Sequence, residues 1–308
     1  MKKNIYTFPS STGVCDIYGC RYTPDEEEIK AVIVIHHGMA EHQGRYQDFI
    51  EYLTLNGFAV YMHDMANHGK SNTDFDKTGY FGNKDGYKGL VADMKTSFDR
   101  AKAENPDKPI FSMGHSMGSF VNRCFTAWYA DLGLAGTIYM GTGGANPIAS
   151  IGDKLSSVIA KLTNYTKKVA LLDKMSFGTY NDKFEKRTAY DWLTRDTEIV
   201  DKYIEDKYCG FLFSAQGMND LVKLLMNANS DEWYQKLPKE LPILITSGAM
   251  DPVGEYSKGI NQVAEKLKAS GHTNVTVKLY EDARHEILNE INKDEVYADI
   301  LEWLNNQI

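Results

Sequence analysis

The chain has 308 residues, of which 43% are hydrophobic and 25% are charged, and its formal net charge is −8. A chain of this kind buries a large core, in one elaborated domain or two small ones, and its acidic balance without a Lys/Arg-rich run argues against nucleic-acid binding. No apolar run approaches the roughly 20 residues of a membrane-spanning helix, and the N-terminus lacks the apolar core of a signal peptide.

Strands and helices alternate through most of the sequence. Residues 4–10 and 15–22 predict two antiparallel edge strands, and the β-branched run 31–35 predicts a strand that is buried on both faces, as in a parallel sheet. Further strands are predicted at 58–62, from Ile110 onward, at 135–140, 242–247 and 275–280, and helices at 46–56, 86–104, 117–130, 258–269 and 295–306. This alternation predicts an α/β fold with a mostly parallel sheet and helices on both faces.

The alternation stops between residues 146 and 236, where helical pieces and loops occur without a convincing strand. An insertion here would lie at the carboxyl ends of the parallel strands, where such sheets bind ligands. We therefore expect a core made of residues 1–145 and 237–308, interrupted by a helical lid or cap insertion at 146–236.

Four cysteines, Cys15, Cys20, Cys124 and Cys209, are scattered along the chain and fit no metal-binding spacing. This pattern predicts reduced, packed thiols in a cytoplasmic protein. A Cys15–Cys20 bridge across the first hairpin is the alternative.

The sequence Gly114-His115-Ser116-Met117-Gly118 lies between a predicted strand and a predicted helix. A Gly-x-Ser-x-Gly in this context is typical of a nucleophile elbow, a turn so tight that the serine adopts strained backbone angles and its neighbours two positions away must be small. The start of the helix would place the Met117 N–H beside the Ser116 hydroxyl. Taken alone, the five residues also fit an ordinary turn between a strand and a helix.

A serine nucleophile needs a general base and a carboxylate that orients this base, and in this architecture they follow in the order serine, acid, histidine. Two histidines come after Ser116: His285 follows a strand, whereas His272 precedes one and so lies at the wrong end of the sheet. His285 is therefore the predicted base. Asp251, which follows the preceding strand, is the predicted acid, and Asp282, in the loop of the base itself, is its competitor.

The loop after the first parallel strand, His36-His37-Gly38-Met39-Ala40-Glu41-His42, is where a second oxyanion donor is expected. Gly38 lets the backbone turn so that the Met39 N–H can face the site, and Met39 and Met117 are therefore the predicted donors. Three histidines and a glutamate could also suggest a metal site. His36 and His37 point to opposite faces of a strand end, however, and hydrogen bonds to loops explain them more simply.

Together these motifs resemble the α/β-hydrolases, and in particular the monoacylglycerol lipase and lysophospholipase branch of the serine aminopeptidase-type hydrolases. Residues 37–46 are similar to the His-Gly-x-Gly-Glu-His…Arg-Tyr loop of that branch, and residues 64–71 to its Asp-x-x-Gly-His-Gly-x-Ser turn. Residues 247–254 and 283–290 are similar to the loops that carry the acid and the base of the branch. The resemblance covers roughly residues 30–145 and 240–308 and is weak in the insertion.

The resemblance implies the α/β-hydrolase fold, an insertion that acts as a lid, and catalysis without a cofactor or a metal. Carried over residue by residue, it implies the triad Ser116, Asp251 and His285, with oxyanion N–H groups from Met39 and Met117. Ala40 and Asn67 stand where the branch usually has glycine. Neither change threatens the chemistry, because the backbone N–H groups remain and asparagine tolerates a positive φ well.

Apolar and aromatic residues occur in clusters along the insertion, and most of them are expected to pack its own core and its contact with the sheet. A few would line an acyl-chain groove over Ser116, and the candidates are Phe177, Phe211, Phe213 and Met218. Residues 161–190 hold seven Lys/Arg and three Asp/Glu, a net charge of +4. A solvated helix face is the simplest explanation, and transient contact with an anionic lipid surface is the sharper hypothesis.

The sequence therefore predicts a serine carboxylic ester hydrolase that acts through an acyl-serine on single-acyl-chain lipid esters, such as monoacylglycerols or lysophospholipids. Two alternatives stay open: a serine aminopeptidase of the same fold, which would need inward-facing lid acids such as Asp191, Asp196 and Glu198, and a non-catalytic protein that binds ligands on a hydrolase scaffold. The sequence does not distinguish a monomer from a homodimer.

Overall fold

The computed structural model describes residues 1–25 and 28–308. Within this part of the chain, eight strands form one sheet: β1 (Lys2–Pro9), β2 (Asp16–Thr23), β3 (Ala31–His36), β4 (Phe58–His63), β5 (Ile110–His115), β6 (Gly136–Met140), β7 (Ile243–Gly248) and β8 (Val275–Tyr280). Their order across the sheet is β1-β2-β4-β3-β5-β6-β7-β8. The pairs β1–β2 and β2–β4 are antiparallel and the others are parallel. The predicted mostly parallel sheet is confirmed.

The same described residues form ten α-helices: α1 (Gln47–Leu55), α2 (Gly86–Glu104), α3 (Met117–Trp128), α4 (Ala149–Leu162), α5 (Ala170–Phe177), α6 (Thr197–Glu205), α7 (Ala215–Ala228), α8 (Asp231–Lys236), α9 (Lys258–Ala269) and α10 (Lys293–Asn305). The bounds of the individually predicted strands and helices differ from these by at most two residues. This agreement follows from clear local patterns, because most of these elements end at a Gly, Asn or Pro signal.

Both faces of the sheet are covered, as the buried runs predict. Every residue of β3, β4, β5, β6 and β7 is buried. On one face, residues such as Ile33 and Ile35 pack with α1 and α10; on the other, Val32 and Val34 pack with α2 and α3. Helix α9 covers β6 and β7 on that second face. The sheet is therefore a rigid platform whose strand ends hold the loops of the site.

The helices α4 to α8 lie between β6 and β7 in the chain, and the fully buried side chain of Arg123 on α3 joins this insertion to the core. Its guanidinium donates hydrogen bonds to Thr142 and Gly143, just after β6. It also donates to the Ala228 carbonyl and to Oδ1 of Asn229, at the end of α7. Through Arg123, hydrogen bonds thus connect the end of α7 to helix α3 of the core and to the segment after β6. That it acts as a lid stays a prediction.

Cys15, Cys20, Cys124 and Cys209 are free thiols, so the alternative of a Cys15–Cys20 bridge is wrong. None of the helices that the structure describes combines the length and apolar composition needed to cross a membrane.

A carboxyl group of the insertion also lies at the start of a core helix. Asp220 on α7 is buried, and its Oδ1 accepts a hydrogen bond of 3.2 Å from the Tyr87 N–H in the first turn of α2. Burial raises the pKa of Asp220 to about 7, against the partial opposition of the hydrogen bonds from Tyr87 and Gln216. The folded protein therefore binds a proton at Asp220 between about pH 4 and pH 7, where the unfolded chain does not.

This proton uptake predicts a pH-dependent effect of Asp220→Asn on stability. In the wild type, the proton on Asp220 stabilises the folded protein at low pH, and this stabilisation is lost as the pH rises through about 7. The amide of the variant does not titrate, so its stability has no such loss. The variant should therefore gain stability relative to the wild type between pH 5 and pH 8, by about 2 kcal/mol. Urea unfolding at both pH values measures this, with Asp131→Asn at an exposed carboxyl as the control. An equal stability difference at both pH values would contradict the analysis.

Candidate active site

Ser116 occupies the turn between β5 and α3 with φ 54° and ψ −123°, a strained conformation for a residue with a side chain. The glycines around it are required by space. A Cβ at Gly114 would overlap the carbonyl group of Gly118, and a Cβ at Gly118 would overlap the carbonyl oxygens of His36 and His37. In the described stretch 110–127, Ser116 alone is not buried. The predicted elbow geometry is therefore present, with its serine facing open space.

The structure brings Asp251 and His285 together. Nδ1 of His285 lies 2.9 Å from Oδ2 of Asp251, and both side chains are buried. Asp251 also accepts hydrogen bonds of 2.8 Å from the Ser247 hydroxyl and from the Val253 N–H. Burial alone would raise the pKa of Asp251, but the charge and hydrogen bond of His285, with these two donors, hold it below its usual value. The carboxylate thus stays ionised and fixes the Nδ1–H tautomer of the imidazole.

The competing residues lie elsewhere. Asp282 is exposed to solvent, with a φ of 61°. His272 lies at the opposite end of the sheet, where its ring nitrogens contact the carbonyl oxygens of Leu267 and Leu237. Of the two candidate acids and two candidate bases, the structure therefore joins only the favoured pair.

Ser116 and His285 line the same cavity. The hydrogen bonds among the described residues do not include one between the Ser116 hydroxyl and the His285 ring. In enzyme structures without a substrate, catalytic hydrogen bonds are often long or poorly aligned, and they tighten only when the substrate binds.

The two predicted oxyanion donors lie beside this serine. Met39 and Met117 both line the cavity, and within the described chain neither backbone N–H has a protein acceptor. An N–H without a partner at the edge of a cavity is available to a ligand oxygen. Two N–H groups without a protein acceptor are what the binding of an anionic oxygen at this cavity requires.

The two adjacent histidines at the end of β3, which were expected to form hydrogen bonds to loops, differ in their contacts. Nδ1 of His37 donates to the Gly38 carbonyl at 2.8 Å, and its Nε2 accepts from the Met65 N–H at 2.9 Å. Burial lowers the pKa of His37 to about 4. His36 is buried against His63 with a ring separation of 4.7 Å, and its nitrogens have no described partner, so hydrogen bonding of His36 to loops is not borne out.

Among the described residues, only His42, Asp206 and Cys209 form a group with the spacing of metal ligands. Nδ1 of His42 accepts a hydrogen bond from the Gly44 N–H, so its Nε2 carries the proton and donates to Asp206 at 2.8 Å. Both ring nitrogens are therefore occupied. The geometry favours a hydrogen bond between this loop and the insertion over a metal site.

Ala40 and Asn67, the two departures from glycine, both adopt a positive φ, of 52° and 53°. The carbonyl oxygen of Ala40 accepts two hydrogen bonds of 3.0 Å from the insertion, from the Tyr203 hydroxyl and from the Gly210 N–H. The insertion therefore holds the strained residue that follows Met39.

A buried ion network that was not predicted joins the loops of the site. Arg45 donates two hydrogen bonds to Glu286, at 2.7 and 2.6 Å, and one of 2.9 Å to Glu41. Glu41 accepts in addition from the Gly38 N–H at 2.6 Å and from the Tyr46 hydroxyl at 2.9 Å. The Glu and the Arg-Tyr of the loop motif were signals for this network, but their partner Glu286 is 241 residues from Arg45.

The cavity above Ser116 has a volume of about 1060 Å³ and lies between the strand ends and the insertion. Phe177, Phe211 and Met218 line it, as expected. The expectation for Phe213 is wrong. Its side chain is buried in the core, where its ring packs against His68 and Phe81 at 5.4 Å from each, because its backbone lies close to Gly79 rather than at the cavity wall.

The three acids considered for binding a substrate amine do not line the cavity. Asp191 accepts hydrogen bonds from the N–H and the hydroxyl of Thr188. Asp196 caps the start of α6, and Glu198 in the first turn of that helix is exposed. The carboxylates that do line the cavity are those of Glu41, Asp173, Glu255 and Glu286.

Comparison with known proteins places this geometry in context. The family model described as serine aminopeptidase, S33, matches residues 27–292. The monoglyceride lipase of Mus musculus is 26% identical over 304 residues, which cover 94% of this chain and 87% of the mouse protein. The monoacylglycerol lipase of Mycolicibacterium smegmatis is 24% identical over 305 residues, covering 97% and 96%.

A solved structure is also similar over its full length. The thermostable carboxyl esterase from Bacillus coagulans, determined in complex with glycerol, has a TM-score of 0.93 and 29% identity, and the alignment covers 99% of each chain. Fold and sequence comparisons thus point to the same group of hydrolases.

Proposed function

Because this chain belongs to the serine aminopeptidase S33 family of α/β-hydrolases, we propose that it hydrolyses single-acyl-chain lipid esters through Ser116, His285 and Asp251. The observation that carries the proposal is the buried His285–Asp251 pair, whose histidine lines one large cavity together with the strained Ser116. Monoglyceride and monoacylglycerol lipases among the relatives support the carboxylic ester hydrolase class.

In the proposed reaction, His285 accepts the hydroxyl proton of Ser116 as the serine oxygen attacks the acyl carbonyl carbon. The N–H groups of Met39 and Met117 donate to the oxyanion that forms. When this intermediate collapses, the ester bond breaks, and the leaving alcohol takes the proton from His285. Water then loses a proton to His285 and attacks the acyl-serine, which releases the fatty acid and restores the Ser116 hydroxyl.

The cavity favours a lipid acyl chain over a small polar acid. Its volume of about 1060 Å³ lies at the upper end of the range that small-molecule sites occupy. The insertion contributes apolar side chains to its wall, among them Leu155, Phe177, Phe211 and Met218. Burial of an alkyl chain there would supply roughly 0.8 kcal/mol for each methylene group.

The central test is Ser116→Ala, compared with the wild type on esters of increasing acyl length. Turnover should fall by about 10⁶-fold, because the members of a catalytic triad act as a unit. Wild-type kcat/KM should rise from short-chain to long-chain esters, since longer chains bury more apolar surface. Unfolding curves of both proteins control for stability. Turnover of the variant near the wild-type level would refute the proposal.

An aminopeptidase remains the second candidate, because the matching family model carries that description. The cavity limits the acids that this candidate could use. Of its carboxylates, Glu41 and Glu286 are paired with Arg45, which leaves Asp173 and Glu255 for a substrate amine. Hydrolysis of amino-acid amides without hydrolysis of esters would support this candidate. Failure of a fluorophosphonate to label Ser116 would support a protein that only binds ligands.

Phe211 and Phe213 form a matched pair for testing the acyl site. Phe211 lines the cavity, whereas Phe213 packs in the core two residues later. Phe211→Ala should lower kcat/KM for long-chain relative to short-chain esters by about tenfold, because apolar contact with the chain is lost. Phe213→Ala should instead lower stability by about 3–5 kcal/mol and leave that ratio unchanged. The same ratio in Phe211→Ala as in the wild type would place the acyl chain elsewhere.

Exposed apolar side chains of the insertion line this cavity. Ile151, Val158 and Leu162 are exposed along one face of α4, and Ile151 also lines the cavity. Lys161 on α4 and Lys174 on α5 are exposed as well. Lys168 and Arg187 have protein partners instead, at Thr78 and Asp201. Exposed apolar side chains and lysines on the same two helices support transient contact with an anionic lipid surface.

This contact predicts salt-dependent activity on lipid aggregates. Raising NaCl from about 20 to 500 mM should lower activity on anionic mixed micelles by about tenfold, because salt screens the attraction of lysines to the surface. Activity on a water-soluble short-chain ester should stay constant. Lys161→Gln/Lys174→Gln should weaken the salt effect, and Lys258→Gln/Lys268→Gln on α9 is the control with equal charge change. Salt-independent activity on the micelles would exclude this contact.

A further inference from the structure

His115, directly before Ser116, is a buried histidine that the proposed reaction does not use. Its Nδ1 lies 3.2 Å from Oε1 of Glu41, and its Nε2 lies 3.3 Å from the carbonyl oxygen of His285. A carboxylate and a carbonyl oxygen only accept hydrogen bonds. A neutral imidazole has one N–H and would turn a nitrogen lone pair towards one of these oxygens, whereas an imidazolium donates to both.

The charges around His115 also favour the imidazolium. Glu41 and Glu286 are buried carboxylates that share the single guanidinium of Arg45. With a neutral His115 this buried group of side chains would carry a net charge of −1; with an imidazolium it is neutral. An unbalanced buried charge is strongly unfavourable, so the network stabilises a proton on His115.

Each element packed against His115 contributes to this balance. Burial by itself would lower the pKa of His115, but the hydrogen bond and charge of Glu41, then the charge of Glu286 and the His285 carbonyl, raise it above its usual value. Arg45 opposes them from the same network. His37, at the end of β3, is held neutral by its own donor and acceptor and has a pKa of about 4.

The ring of His115 lies next to the ring of the proposed base, with a centroid separation of 4.6 Å. We propose, on the basis of the function proposed above, that His115 is an imidazolium at neutral pH and a positioning residue that keeps His285 unprotonated. A fixed positive charge at this distance disfavours a second proton on His285.

The first arm of the test reads the charge of His115 directly. In ¹H–¹⁵N spectra of the ¹⁵N-histidine-labelled wild type at pH 7, His115 should show two protonated ring nitrogens. His37, a buried neighbour with one ring N–H, is the internal reference. A His115 ring with one protonated nitrogen would overturn the proposal. This readout does not need an active enzyme, so it stays decisive even if no ester is hydrolysed and the proposed function fails.

The second arm measures the pH profile of kcat/KM. His115→Asn keeps a donor for Glu41 but removes the charge, and its acid limb should move up by about one pH unit, which makes kcat/KM about tenfold lower at a pH below the limb. Glu41→Gln, which removes the partner charge, should move the limb in the same direction. An unchanged acid limb in both variants would overturn the proposal.

The controls separate this effect from a loss of folding. His42→Asn removes another histidine that pairs with a carboxylate, Asp206, outside the cavity lining, and it should leave the acid limb in place. If His115→Asn does not fold, Glu41→Gln and the wild-type spectrum decide the question. A purely structural role of His115 would lower kcat/KM equally at every pH, and that result would count against the proposal.

Discussion

The close packing of the start of α3 against the end of β3 is the contact on which the geometry of the site depends. Gly118 lies so near the carbonyl oxygens of His36 and His37 that no side chain fits between them. This approach brings the loop after β3 to the turn that carries Ser116, and it forces the serine into its positive φ. Ser116 and the loop that carries Met39 are therefore adjacent because two pieces of backbone touch.

A buried network of charged side chains also connects the loops around Ser116. Glu41 accepts the Gly38 N–H and faces His115, while Arg45 joins Glu41 to Glu286, the neighbour of His285. One buried network thus links the oxyanion loop, the elbow and the base loop. Such a network is favourable only when every member is paired, and this requirement makes the charge of His115 a property of the whole site.

The insertion forms hydrogen bonds to the same loops. The Trp192 and Leu193 carbonyls accept hydrogen bonds from the backbone of the base loop, and the Ala40 carbonyl accepts two from the segment 203–210. The insertion thus provides the apolar wall of the cavity and also contacts both loops that flank Ser116. Movement of the insertion would for this reason shift both of these loops as well as the cavity wall.

Outside the insertion, the sequence by itself determined the order and the bounds of the strands and helices, because hydrophobic periodicity and Gly, Asn and Pro signals are local. It also predicted the elbow, because Gly114 and Gly118 stand where the turn around Ser116 leaves no space for a side chain. The loops that should meet followed from one rule, that parallel strands end at the same edge of the sheet.

Only the tertiary structure decided which side chains meet within those loops. It joined Asp251 rather than Asp282 to His285, placed Phe213 in the core although Phe211 lines the cavity, and surrounded His115 with two acceptors. His115 lies 74 residues from Glu41 and 170 residues from His285, and Arg45 lies 241 residues from Glu286. No local pattern encodes such contacts, because they depend on how loops from distant strands pack and on which charges burial forces to pair.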